Sequence, residues 1–399
     1  PRGQQAVFNY DGIAYGVLNN PQFATIEYDT SSIGSEWNSG EVVTVNIFDP
    51  DMNYDVRTED ALTVASNTTV VPAIKVGSPI TLATLSTLVD NTGLSIDTGL
   101  NTQCSSDYDT SAAAGYTSCY EKYSERSIIT ANSGMGAFAA ADSLIFTHSS
   151  DTTVKTFTDL IAGANGTGAY TYVQFDLRGM NDGSDDLGFK GNFTFGDSTI
   201  GSGLQGDVAY YDGVTNTEAD STLNPGVGTT YFEGLVGNTI VNSPGFKLYG
   251  LSSLTASDPL SMKIHFDAVT ASELLDTGAH APMTVDIVTF GTSNDGVNSS
   301  DRHHNGIYRL EAEESDNNNS ATFAGEVEYV MLNQLNINDT ATYNGTVAYS
   351  DEVVMVVHND STDEDEIRIS YLDLGADGVE TQISDQLAAP THSGVVEFD

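Results

Sequence analysis

The chain has 399 residues, with 56 Asp and Glu against 13 Lys and Arg, a formal net charge of −43 at pH 7 and a sequence pI near 4.1. A surface this acidic repels nucleic-acid phosphates and anionic lipid headgroups, so neither nucleic acid nor a membrane surface is an expected partner. Hydrophobic residues make up 39% of the chain, enough for a core, and no apolar run reaches the roughly 18 residues of a membrane-spanning helix, so no membrane insertion is expected.

In chain order, residues 1–20 form an N-terminal segment; Pro1, with no initiator Met or signal peptide, reads as the start of a processed chain or of a fragment. The dominant period beyond it is two. Val43-Thr-Val-Asn-Ile47 alternates, as do Met262–Phe266, Val327–Met331 and Ile367–Tyr371. Turn clusters separate such runs: Asn181-Asp-Gly-Ser184, Asp212-Gly213, Asn294-Asp-Gly296, Asn344-Gly345 and Asp377-Gly378. Helical pattern is scarce. Leu82, Leu85, Leu88 and Val89 follow Ser78-Pro79 at helical spacing and predict one short helix with a proline start. Phe157, Leu160 and Ile161 predict another turn or two, and Ser272–Leu275 a third. Many short strands with frequent turn signals predict an all-β chain of sandwiches with a few short helices in the connections. Three such units are expected: residues 21–168, with an irregular insert around the cysteines, 169–281 and 282–391. The stretches Asn294–Asn305 and Glu311–Ser320 are expected as loops. Ile26-Glu-Tyr-Asp29 recurs as Val396-Glu-Phe-Asp399, so residues 392–399 are expected to open a further domain of a longer repetitive protein.

Cys104 and Cys119 are the whole cysteine complement. An even count in a Gly/Ser/Thr/Asn-rich acidic chain suggests one disulfide, with two free buried thiols as the alternative. Asp49-Pro-Asp51-Met-Asn53-Tyr-Asp55 places an oxygen ligand at every second position just after the strand Val42–Phe48. That spacing lets one tight loop wrap a hard cation such as calcium, and Glu59 and Asp60 are near enough to complete the set. The EF-hand continuation is missing, so the loop is a calcium site carried on strands or else a solvated acidic turn, which Asp and Asn also favour. Asn181, Asp182, Asp185 and Asp186, then Asp360, Asp363, Glu364 and Asp365, and the pair Asp373 and Asp377 read as weaker acidic clusters.

Gly201-Ser-Gly-Leu-Gln-Gly206 fits G-x-G-x-x-G, but the next residues, Asp207–Tyr211, look like a strand, so no helix N-terminus is offered to a pyrophosphate. His303-His304 lacks a second ligand pair at metal spacing and reads as an exposed polar pair. Nucleophile-elbow, zinc-protease and phosphate-loop signatures are absent, so no catalytic residue and no enzymatic activity is expected. N-x-S/T sequons stand at Asn67, Asn165, Asn192, Asn298, Asn318, Asn338, Asn344 and Asn359, a number close to chance, which permits N-glycosylation without establishing it.

The strings Ala24-Thr-Ile-Glu-Tyr-Asp29, Gly40-Glu-Val-Val-Thr-Val-Asn-Ile-Phe-Asp-Pro-Asp-Met-Asn53 and Leu62-Thr-Val64 resemble the repeated domains of archaeal surface-layer proteins, especially those of ammonia-oxidising Nitrososphaeria. Ile74–Pro79, Thr322–Asn333 and the closing His392–Asp399 are similar to the same family, and the resemblance touches about half the chain. It implies tandem immunoglobulin-like β-sandwich domains in a secreted, glycosylated lattice protein at the cell surface, with calcium at Asp49, Asp51 and Asn53. The chain departs from the family in showing one such loop where the family tends to repeat it. The implied function is that of a non-enzymatic structural subunit. Copies self-associate into a porous two-dimensional coat that is stiffened by calcium and enriches small cations, ammonium among them for an ammonia oxidiser. Two other classes fit the same composition: a calcium-dependent adhesin or extracellular filament subunit, and a secreted acidic hydrolase.

Overall fold

The computed structural model describes residues 5–18, 22–33, 37–77, 79, 81–84, 87–89, 95–96, 104, 116–131, 138–139, 143–147, 170–176, 179, 189–196, 211–212, 217–218, 232–233, 246–247, 261–268, 273–275, 280–290, 304–315, 320–331, 334, 349–357, 366–373 and 381–388. These form an all-β molecule of several sheets, largely antiparallel. Among the described residues, ten strands share one core as a β-sandwich: β1 (Thr25–Asp29), β2 (Val42–Phe48), β3 (Ala61–Leu62), β4 (Ala73–Val76), β5 (His304–Leu310), β6 (Ala312–Glu314), β7 (Thr322–Met331), β8 (Glu352–Val357), β9 (Glu366–Asp373) and β10 (Thr381–Ala388).

One layer runs β1-β2-β7-β6-β3, with β8 lying parallel along β7. The facing layer contains β5-β4-β9-β10. Beyond β5 this second sheet continues through His280–Phe290 to Tyr170–Asp176 and Phe246–Lys247, and Ser127–Ala131 also pairs with His280–Phe290. A separate six-stranded sheet joins Ser143–Thr147, Phe189–Gly196 and Ser261–Ala268 with Thr87–Val89, Ser95–Ile96 and Phe232–Glu233.

Alternation decides which side chains enter the core. In β2, Val43, Val45 and Ile47 are fully buried while their neighbours are more exposed. β7 answers in register, with Val327 opposite Val43, Gly325 opposite Val45 and Phe323 opposite Ile47. From the other layer come Ile74, Tyr308, Leu310, Ile367, Ile369 and Tyr371, and the two sets close one hydrophobic cluster. Trp37, wholly buried in the β1–β2 connection, stands edge-on to Tyr329 with ring centroids 5.0 Å apart. Its Nε1 donates to the Glu41 carbonyl at 2.7 Å, and Tyr329 Oη donates to the Trp37 carbonyl at 2.8 Å, so both polar ends of the aromatic pair are satisfied. Burying each Val, Leu, Ile, Met or Phe side chain of this cluster contributes about 1.5–3 kcal/mol.

The expected strands Val43–Ile47, Met262–Phe266, Val327–Met331 and Ile367–Tyr371 all form. Three other expectations are corrected. After Pro79 the chain makes a single 3₁₀ turn, Leu82–Thr84, and then a strand, Thr87–Val89, because Leu88 and Phe146 pair across two strands. Ser272–Leu275 holds the strand Glu273–Leu275, paired with Phe138–Ala139. Within Glu311–Ser320, expected as loop, β6 forms. The helix expected at Phe157–Ile161 lies outside the described residues, as does the repeat Val396–Asp399.

The sandwich is also not built from consecutive units. The chain leaves it after Val76 in β4 and returns at His304 in β5. β2 and β7, assigned from chain order to the first and third units, are neighbours in one sheet, and β4 pairs with both β5 and β9. Boundaries drawn at residues 168 and 281 therefore separate strands that share one core.

Candidate functional site

The acidic loop after β2 is held by residues far along the chain, Glu314, Ala321 and Tyr371. Asp49 is buried, and both its carboxylate oxygens are engaged. Oδ1 accepts from the Asp51 amide at 2.9 Å, which closes the turn, and Oδ2 accepts from Tyr371 Oη of β9 at 2.8 Å. Burial pushes the Asp49 carboxyl above the usual aspartate range, against the pull of these two hydrogen bonds. The same burial, with the Asp49 charge beside it, drives the Tyr371 hydroxyl well above its ordinary value. Tyr371 therefore remains a protonated donor.

Further along the loop, the Asp49 amide donates to the Ala321 carbonyl at 2.9 Å. Ala321 in turn donates its amide to Oε1 of Glu314 at 2.9 Å, and Asn53 Nδ2 donates to the same oxygen at 2.9 Å. The Glu314 amide donates to the Asp60 carbonyl at 3.0 Å. Asp60 Oδ2 accepts from the amides of Tyr54 at 2.6 Å and Asp55 at 2.9 Å. Asp49, Asn53, Asp60, Glu314 and Ala321 thus form one polar node between the loop and the β6–β7 connection.

Of the residues singled out in the sequence, Asp49, Asn53 and Asp60 enter this node, and Asp51 closes its turn. Asp55 and Glu59 are exposed, and Asp55 Oδ1 accepts from the Arg57 amide of its own turn at 2.9 Å. Glu314 was not anticipated. It lies 261 positions from Asn53, and no local spacing marks it.

Two buried oxygens of the node, Asn53 Oδ1 and Glu314 Oε2, accept no hydrogen bond from the described residues. Glu314 is 5% exposed. A buried carboxylate oxygen and amide oxygen without donors suit a hard, oxygen-seeking cation, which also accepts backbone carbonyls and waters. The node is not a carboxylate cage. Among the described residues no three His, Cys, Asp or Glu side chains are grouped as metal ligands.

Elsewhere, Cys104 and Cys119 form a disulfide with Cα atoms 4.8 Å apart. Asn67 is half-buried in the loop after β3, Asn192 falls within the strand Phe189–Gly196, and the other six sequons lie outside the described residues. So do the clusters Asn181–Asp186 and Asp360–Asp365, Asp377, the glycine motif 201–206 and His303. Asp373 is buried, and its Oδ2 accepts from the Ala24 amide at 3.2 Å. The antiparallel hairpin Gln5–Tyr10 and Ile13–Leu18 exposes Val7, Phe8, Tyr10, Ile13 and Tyr15, with Phe8 and Tyr15 stacked at 5.6 Å. No helix among the described residues is long and apolar enough to cross a membrane.

No protein-family model matches the chain, and no curated protein is similar to it in sequence.

Proposed function

We propose that the chain is a structural subunit of an extracellular surface-layer coat, non-enzymatic, with immunoglobulin-like sandwiches assembled side by side into a porous, cation-enriching lattice. The observation that carries this reading is the charge: −43 on 399 residues, from 56 acidic and only 13 basic side chains. Copies of such a chain repel one another unless cations screen or bridge them. Calcium in the loop after β2 and between facing carboxylates would convert that repulsion into contact. The disulfide supports an oxidising, extracellular setting. The resemblance of Ala24–Asn53 to surface-layer domains supports the same setting.

Electron cryo-microscopy of the purified protein in millimolar calcium, repeated after EGTA, tests the reading. An ordered sheet that disperses on chelation is the expected result. Monodisperse particles in both conditions would overturn it.

A second reading, a calcium-dependent adhesin or filament subunit, is favoured by the exposed aromatic face of the hairpin Gln5–Leu18. It predicts binding to a saccharide or cell surface by monodisperse protein, lost when Phe8 and Tyr15 are both changed to Ser.

A further inference from the structure

We propose that Glu314 is the distant ligand that completes a divalent-cation site in the Asp49–Asp60 loop, so that a cation there ties the loop to β6. The proposal rests on the calcium reading given above and adds to it a residue that the loop's own spacing does not contain. Glu314 is 95% buried by its 5% exposure, yet Oε2 accepts no hydrogen bond from the described residues. Its other oxygen already accepts from Ala321 and Asn53. A carboxylate held in that state is poorly compensated, and a cation supplies what the amide hydrogens do not.

Asn53 carries the complementary feature. It turns its NH₂ toward Glu314 and leaves its buried Oδ1 without a donor. A half-turn of that amide exchanges the two atoms and directs oxygen toward the carboxylate, where it becomes a second ligand for a cation and a repulsive neighbour without one. Calcium fits because it takes carboxylate, amide and backbone oxygens together in a flexible shell. The loop backbone beside Glu314 is already fixed by the Asp60 carbonyl and by Asp49 through Ala321.

The test uses the whole 399-residue chain and calcium alone as the probe. Calorimetric titration is run in moderate salt, which suppresses diffuse binding to the acidic surface. Three proteins are compared: wild type, Glu314→Gln, and Glu366→Gln as an exposed acidic control outside the loop. The wild type should show a saturable site, Glu366→Gln should retain it, and Glu314→Gln should weaken it by about tenfold or more, at least the loss seen when an outer-shell partner of a metal is removed.

Thermal unfolding with calcium and with EGTA separates a ligand from a structural carboxylate. As a ligand, Glu314→Gln is at least as stable as wild type in EGTA and less stable in calcium. As a structural carboxylate it is less stable in both, and that outcome overturns the proposal. Unchanged calcium affinity in Glu314→Gln overturns the role of Glu314 while leaving calcium in the loop. Absence of a saturable site in wild type overturns both. Neither result depends on whether a lattice forms.

Discussion

Tyr371 donates its phenolic hydrogen to Asp49 Oδ2 across 2.8 Å, although the two stand 322 positions apart in the chain. The bond joins β9 to the loop that leaves β2, one strand from each layer of the sandwich. Tyr371→Phe keeps the ring and removes the donor, leaving a buried carboxylate oxygen against an apolar edge. Such a loss costs about 1–3 kcal/mol, to be read as a lower denaturant midpoint. A midpoint equal to wild type would mean that the bond adds nothing net.

Arg126 is one of only 13 basic residues in the chain, and it is fully buried. It holds Glu121 with Nε at 2.6 Å and Nη2 at 2.7 Å, and donates to the carbonyls of Thr63, Val64, Ser66 and Thr69. It clasps the whole loop after β3. Arg126→Ala leaves Glu121 as an uncompensated buried charge, and a cost of about 3–5 kcal/mol is expected. Limited proteolysis should then cut first within 63–69, and cleavage elsewhere with the loop intact would refute the clasp.

Gly325 is required by a close approach. A Cβ there would lie 2.5 Å from the Glu311 carbonyl oxygen and 2.8 Å from Leu310 Cδ1, at the point where the chain passes from β5 in one layer to β6 in the other. Backbone cannot swing aside as a surface side chain can. Gly325→Ala should destabilise by about 1–3 kcal/mol despite adding one methyl group, and calorimetry of the purified variant checks it.

The disulfide closes a loop with a sequence separation of 15. The chain-entropy model gives about 3 kcal/mol for a loop of about that length. The double change Cys104→Ser and Cys119→Ser should lower stability by that order. Adding reductant should shift wild type toward the variant and leave the variant unmoved.

His280 Nδ1 and Thr130 Oγ1 lie 2.6 Å apart, and partial burial lowers the imidazole's pKa from 6.5. A depressed folded-state value favours the neutral ring, so its stabilising contribution is present above pH 6.5 and is lost as the pH falls through the lowered folded-state value. Between pH 7.5 and pH 5.5, wild type should lose more stability than His280→Gln. Identical losses would exclude a contribution from this residue.

The strands were legible because alternation is a local signal: Val43, Val45 and Ile47 declare an inner face without reference to any partner. The short strand Glu273–Leu275 was misread as helix because three or four residues carry too little period to separate 3.6 from 2. Leu82, Leu85 and Leu88 matched helical spacing, yet Leu88 belongs to a strand whose partner, Phe146, lies far along the chain. Half of the candidate site was legible for the same reason. Asp49, Asn53 and Asp60 lie within a dozen positions, whereas Glu314 reaches Asn53 across 261. Arg126 left a faint signal, since a basic residue kept in so acidic a chain invites a specific reason.

Composition and local spacing were enough for the β character, the inward and outward faces of the main strands and the acidic balance. Each follows from composition or from neighbours a few residues apart. Long-range packing alone joins the strands between Thr25 and Val76 to those between His304 and Ala388 in one sandwich, sets Tyr371 on Asp49, and brings Glu314 to the loop. Strand pairing is chosen by the burial of whole faces against one another. That free energy belongs to the assembled core and leaves no mark on the spacing of residues within either half.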